Sequence, residues 1–217
     1  MNLLIVCTAV ALLGLTLFFE SRQRWRLYLP LKALLSMLFV TAALVQPHPL
    51  GSYFSWMLGG LILCLSGDVL LAVPGQRAFR IGLAAFLLGH VAYVMAFARI
   101  STPRGLLFWT GVTGVLIVSA FVFHWIEPFL GRMRGAVLAY VAVISLMLIT
   151  ALAVSVNTGL RPAGRALILA GALLFYVSDL FVARNRFVSP AFANRLCGLP
   201  LYYTGQFMLA FSVGLVV

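Results

Sequence analysis

The sequence predicts an all-α membrane protein, with eight transmembrane helices in one bundle and both termini outside. Three observations carry that reading. Of 217 residues, 64% are hydrophobic and 9% charged, against about 25% charged in soluble domains. Apolar runs of about 20 residues, the length that crosses a hydrocarbon core, recur along the whole chain. The connections are short and punctuated by Pro, Gly and Arg, which leaves no room for a soluble domain. Residues 1–217 therefore read as a single polytopic domain. The formal charge of +11 comes from Arg and one Lys, Lys32. The Arg residues cluster in loops, where they act as topology signals and lipid-headgroup contacts, so the expected partner is the bilayer and not nucleic acid.

The elements follow in order. Residues 2–19 open with "LLIVC", a faint lipoprotein-signal pattern. That run lacks a basic leader and has Val6 where a small residue is needed, so it reads as the first membrane helix. The second run, 30–46, ends at "PHPLGS"; the third, 53–73, at "PGQR"; the fourth, 79–98, at "STPRG". Runs 105–124 and 134–155 follow, the latter closed by "NTGLRPAG", and runs 163–183 and 195–216 complete the chain. Cys7, Cys64 and Cys197 are scattered without C-x-x-C spacing and read as small apolar fillers.

Loop arginines set the orientation. Loops 1–2, 3–4, 5–6 and 7–8 hold Arg22, Arg24, Arg26, Arg77, Arg80, Arg132, Arg134, Arg184, Arg186 and Arg195. The opposite loops hold only Arg99, Arg104, Arg161 and Arg165. The richer side is expected in the cytoplasm. Lys32 near the start of the second helix, and Asp68 and Asp179 near the ends of the third and seventh, then share one level under that face. "SGDVLL" in the third helix matches "VSDLFV" in the seventh, and "LGHVAY" in the fourth matches "TGQFML" in the eighth. This faint repeat suggests two parallel four-helix halves.

Asp68 and Asp179 are two of only four acids in the chain, and both interrupt apolar runs. An ionised Asp at a membrane-helix centre costs about 2.5–3.5 kcal/mol, so such residues need a partner or a wet cavity, and are functional by default. Lys32 is the cation at their depth, unless it extends to the interface. One cation cannot neutralise two acids, so one Asp is expected to keep its proton. A protonated and an ionised acid together suit general acid–base hydrolysis. The plainer alternative makes both acids interhelical hydrogen-bond glue.

Around them stand candidate substrate-binding residues. His90 and Tyr93 share a face at i, i+3, as do Tyr203 and Gln206. Ser66 and Ser178 precede the acids and read more simply as bonded to backbone carbonyls. Tyr176 and Asn185 flank the second acid, and Arg184 and Arg186 are positive-inside residues or phosphate contacts. His48, His90 and His124 lie at different depths, so a histidine zinc site is not expected. No Walker loop, G-x-S-x-G or H-E-x-x-H occurs.

At these residues the chain resembles the YhhN-like family of integral membrane proteins, which includes the lysoplasmalogenases. The matching pieces are "SGDVLL" around Asp68, then "RIGLAAFLLGHVAY" with Gly82, Phe86, His90 and Tyr93. "LLFYVSDLFVARNRF" around Asp179 and "YYTGQ" with Tyr203 and Gln206 complete them. Family members often show Lys followed by Pro in the second helix, whereas here Pro30 precedes Lys32 and Ala33 follows it. The resemblance implies hydrolysis of the vinyl ether bond of lysoplasmalogens to a fatty aldehyde and glycerophosphoethanolamine or glycerophosphocholine. A lysophospholipid would enter sideways from the bilayer, and no metal or organic cofactor is required. A bacterial cytoplasmic membrane is the expected location. The competing readings are a small transporter, a non-catalytic lipid-binding protein and a hydrolase of another lysolipid.

Overall fold

The computed structural model describes residues 1–217 and contains eight α-helices and no strand. They are α1 (Asn2–Ser21), α2 (Trp25–Leu44), α3 (Gly51–Ala72), α4 (Gln76–Ala98), α5 (Leu106–Ile126), α6 (Arg134–Ser155), α7 (Pro162–Ala183) and α8 (Phe192–Ser212). Two 3₁₀ turns lie between α5 and α6, and α7 runs on into a π-helical turn at Arg184–Val188. α1 to α7, three of them with their flanking turns, are long and apolar enough to cross a membrane. α8 is of similar length but less apolar, because it carries Asn194, Arg195, Tyr202, Tyr203 and Gln206. Four of those five are buried, so its polarity faces inward. The chain is a multi-pass membrane protein.

Large apolar side chains cover the outside, with Leu106 and Phe121 more than two-thirds exposed, while Lys32, Ser36, Asp68, His90 and Gln206 are buried. That inverted distribution suits a hydrocarbon solvent, in which polar groups must find partners inside. Lipid offers no hydrophobic drive between helices, so close packing and small residues must hold them together. The most extensive contacts are α3 on α4 and α7 on α8, and both rest on glycine.

The two glycine crossings repeat. Gly60 and Gly171 each lie eight residues before an acid, Asp68 and Asp179. A Cβ placed on Gly89 of α4 would lie 3.3 Å from the Gly60 carbonyl oxygen. One placed on Gly205 of α8 would lie 2.8 Å from that of Gly171. Two turns earlier on α4 and α8, Gly82 packs on Leu70 and Gly198 on Phe181, which each follow their Asp by two residues. The short sequence repeat thus corresponds to equivalent helix crossings in the two halves.

The main departure from the sequence reading is the start of α2. The helix begins at Trp25 and takes Pro30 into its interior. Pro30 lacks the N–H that would bond the Arg26 carbonyl, four residues back. That carbonyl is in the first turn, beside the loop, where other donors can reach it. Lys32 consequently lies two turns into the helix, not one.

Candidate active site

Two carboxylates line one cavity of about 590 Å³ at the loop end of the bundle shared by the ends of α3 and α7. Its wall takes residues from every helix except α1, and 22 of its 34 lining residues are hydrophobic, so the lining is mostly apolar. Asp68 and Asp179 each lie four residues before the end of their helix, about 6 Å along the axis, as expected from their equivalent positions.

Their partners differ. Lys32 does not reach out to the interface: it is buried, with Nζ 3.1 Å from Asp68 Oδ1. Ser36, one turn further along α2, donates to Asp68 Oδ2 at 2.7 Å, and the Tyr202 hydroxyl donates to the same oxygen at 2.6 Å. Since Ser36 spends its proton on Asp68, the Tyr203 hydroxyl 3.1 Å away donates to Ser36. One ammonium and two hydroxyls therefore surround Asp68, an environment for an acceptor-only carboxylate.

Asp179 has less support. The Tyr140 hydroxyl donates to its Oδ2 at 2.7 Å, and His90 Nε2 lies 3.7 Å from the same atom. His90 Nδ1 is 2.6 Å from the Phe86 carbonyl oxygen, an acceptor, so Nδ1 carries a proton. In a neutral ring Nε2 is then a lone pair facing a carboxyl oxygen, and it is buried without any hydrogen-bond partner. One proton between Asp179 and His90, on either group, removes the conflict. Asp179 is also the more open acid, at 16% side-chain exposure against 2% for Asp68.

Each acid is thus held by a helix of its own half and a helix of the other. α2 and α8 hold Asp68; α6 and α4 hold Asp179. The two halves share one site.

The remaining candidates divide. Tyr176, Ser178 and Asn185 line the cavity with Lys32 and both acids. Ser178 bonds the Phe175 carbonyl and Tyr176 bonds Ser119, so both hydroxyls are already engaged. Asn185 Oδ1 accepts from the Ala191 N–H and from Asn194. His90, Tyr93, Tyr203 and Gln206 lie behind the wall: Tyr93 donates to Gln206 at 2.7 Å, outside the lining. Ser66 is a correction. Its hydroxyl bonds the Ile62 carbonyl one turn back, as the simpler reading had it, and it does not line the cavity. Ser36, Tyr140 and Tyr202 went unnoticed in the sequence. Spacing gave a signal for two of them, since Ser36 is i+4 from Lys32 and Tyr202 is i−4 from Gln206.

Residues 27–213 match the model of the YhhN family. The chain is 31% identical over 176 residues to the lysoplasmalogenase of Mycobacterium tuberculosis, a match covering 78% of this chain and 63% of that protein. It is 30% identical over 199 residues to human lysoplasmalogenase TMEM86B, covering 89% and 77% respectively. It is 34% identical over 160 residues to human lysoplasmalogenase TMEM86A, covering 70% and 62%. The chain therefore spans less than two thirds of the mycobacterial protein's length. No solved structure matches.

Proposed function

The chain belongs to the YhhN family, and from that premise we propose that it hydrolyses the vinyl ether bond of lysoplasmalogens. The products are a fatty aldehyde and glycerophosphoethanolamine or glycerophosphocholine. The observation that carries this reading is two acids with unlike partners on one apolar cavity.

Enol ethers hydrolyse through an oxocarbenium ion, as glycosides do, and two carboxylates suit that path. Asp179 is the acid: it gives its proton to the β-carbon as the C=C π bond breaks, leaving the cation on the carbon bonded to oxygen. Water adds there and passes a proton to Asp68, whose negative charge has meanwhile stabilised the cation. The resulting hemiacetal collapses. Its hydroxyl proton returns to Asp179, Asp68 protonates the departing glycerol oxygen, and both acids regain their starting states. Between turnovers Lys32, Ser36 and Tyr202 all donate to Asp68, while Tyr140 and His90 orient Asp179.

The test is aldehyde release from 1-alkenyl lysophosphatidylethanolamine by purified protein in detergent, with the 1-acyl lysolipid as control. Aldehyde from the first, with no fatty acid from the second, is the expected result. Fatty acid from the acyl lipid, without aldehyde, would replace this reading with a lysolipid esterase.

Loop arginine bias supports a cytoplasmic cavity and outside termini. With Cys7 and Cys197 changed to Ser, a cysteine replacing Gly75 should resist an impermeant thiol reagent added to intact cells. One replacing Ser101 should react. The opposite pattern would invert the topology.

A further inference from the structure

The reaction uses the two acids and their partners, and leaves the cations at the loop end of the cavity unassigned. Three cations line the cavity. Lys32 is neutralised by Asp68, and Arg195 pairs with Glu20 of α1. Arg186 has no carboxylate partner. Its guanidinium lies over the Phe79 ring, 4.0 Å from the centroid, so one face is packed while its N–H edge stays available.

The backbone around Arg186 is built to hold it. The π turn Arg184–Val188 is clipped to α8 by Asn194, which accepts from Arg184 and donates to Asn185 Oδ1 and to the Ser189 carbonyl. Asn194 is itself buried at 2% exposure. Asn185 spends its oxygen within this clip, leaving its amide N–H₂ on the cavity wall. On the neighbouring wall, Arg195 is fixed by Glu20 and lies 5.9 Å from the Trp25 ring, so it too is positioned and not free to wander. Two guanidiniums and an amide donor thus share the wall of a cavity whose proposed substrate carries a headgroup phosphate.

We propose that Arg186 and Arg195 form a phosphate site at the cavity mouth that holds the phosphodiester of the lysolipid headgroup, with Arg186 the principal ligand. Guanidinium binds phosphate through paired N–H donors, which fixes orientation as well as adding affinity. The phosphate anchor adds binding energy that a neutral lipid cannot draw on. The site is therefore a specificity determinant for phospho- over neutral lipids. This rests on the lysolipid reading above.

The experiment compares 1-alkenyl lysophosphatidylethanolamine with 1-alkenylglycerol, which has the same reacting bond and no phosphate. Arg186→Gln should raise KM for the phospholipid by about tenfold or more. It should leave kcat within about twofold, and leave both constants for 1-alkenylglycerol unchanged. Arg186→Lys should recover part of the loss. An equal effect on both substrates, or none on either, overturns the site. Should the wild type release aldehyde from neither, binding of the non-hydrolysable 1-O-alkyl lysophosphatidylethanolamine and of 1-O-alkylglycerol decides separately. Phosphate-dependent binding lost in Arg186→Gln upholds the site while the hydrolysis reading fails. Binding indifferent to Arg186, or no binding, overturns it.

Discussion

Asp179→Asn yields a folded protein that releases aldehyde about a hundredfold to ten-thousandfold more slowly than the wild type, the range general acid–base groups contribute. The amide is the right shape to stay in place. With its oxygen in the place of Oδ2 it still accepts from Tyr140. It has no proton to give the β-carbon. Thermal melting in detergent should therefore stay close to that of the wild type while turnover collapses. Asp68→Asn should lose turnover as well, but with a different signature. It leaves the Lys32 ammonium buried without a counter-ion, which costs about 3–5 kcal/mol when one partner of a buried pair is removed. Adding Lys32→Met to Asp68→Asn should restore much of that stability and none of the activity. Aldehyde assays and melting curves on the four proteins distinguish chemistry from packing. Near-normal turnover in folded Asp179→Asn would remove the acid from the scheme, and the glue reading would take its place.

What the sequence made legible and what it hid have one physical origin. Charge in an apolar run is costly, so Asp68, Asp179 and Lys32 stand out, and their depth follows from helix rise alone. The YhhN assignment and the helical bundle were likewise readable from short motifs and run lengths. Hydroxyls carry no such cost. Ser36, Tyr140 and Tyr202 look like ordinary packing residues until the rotation of α2, α6 and α8 is known, and only then are they donors to the acids. Depth does not give lateral position. His90, Tyr93, Tyr203 and Gln206 share the bundle interior with the acids yet do not line the cavity. The pairing of Glu20 with Arg195 joins opposite ends of the chain, and no local pattern announces it. Helix ends were misplaced where Arg and Pro precede the apolar run, as at Trp25–Pro30, because hydropathy marks the hydrocarbon boundary and not the first helical turn.

Gly205→Ala should damage this protein more than its one added methyl suggests. The new Cβ would lie 2.8 Å from the Gly171 carbonyl oxygen and 3.2 Å from the Phe175 nitrogen. Both are backbone atoms in the interior of a helix, so no rotamer change relieves the contact. The converse holds for Gly171, whose Cβ would meet the Gly205 carbonyl oxygen at 2.9 Å. α7 and α8 would have to part, at about 1–3 kcal/mol for overpacking of this kind. The matching crossing of α3 and α4 is no looser, because a Cβ on Gly60 would run into the ring of the fully buried Tyr93, which Gln206 holds in place. Gly114 on α5 has nothing within 4 Å of its Cβ position, so Gly114→Ala should be neutral or stabilise by about 0.5–1 kcal/mol. Function should follow the same geometry. α7 carries Asp179, and α8 carries Tyr202, the donor to Asp68. Spreading that pair by a few tenths of an ångström moves one acid relative to the other's support, and misplacement near 1 Å costs about a hundredfold in rate. Gly205→Ala should therefore lose turnover even at temperatures where it remains folded, whereas Gly114→Ala keeps it. Equal melting temperatures and equal turnover for both variants would mean that the α7–α8 crossing does not set the distance between the acids.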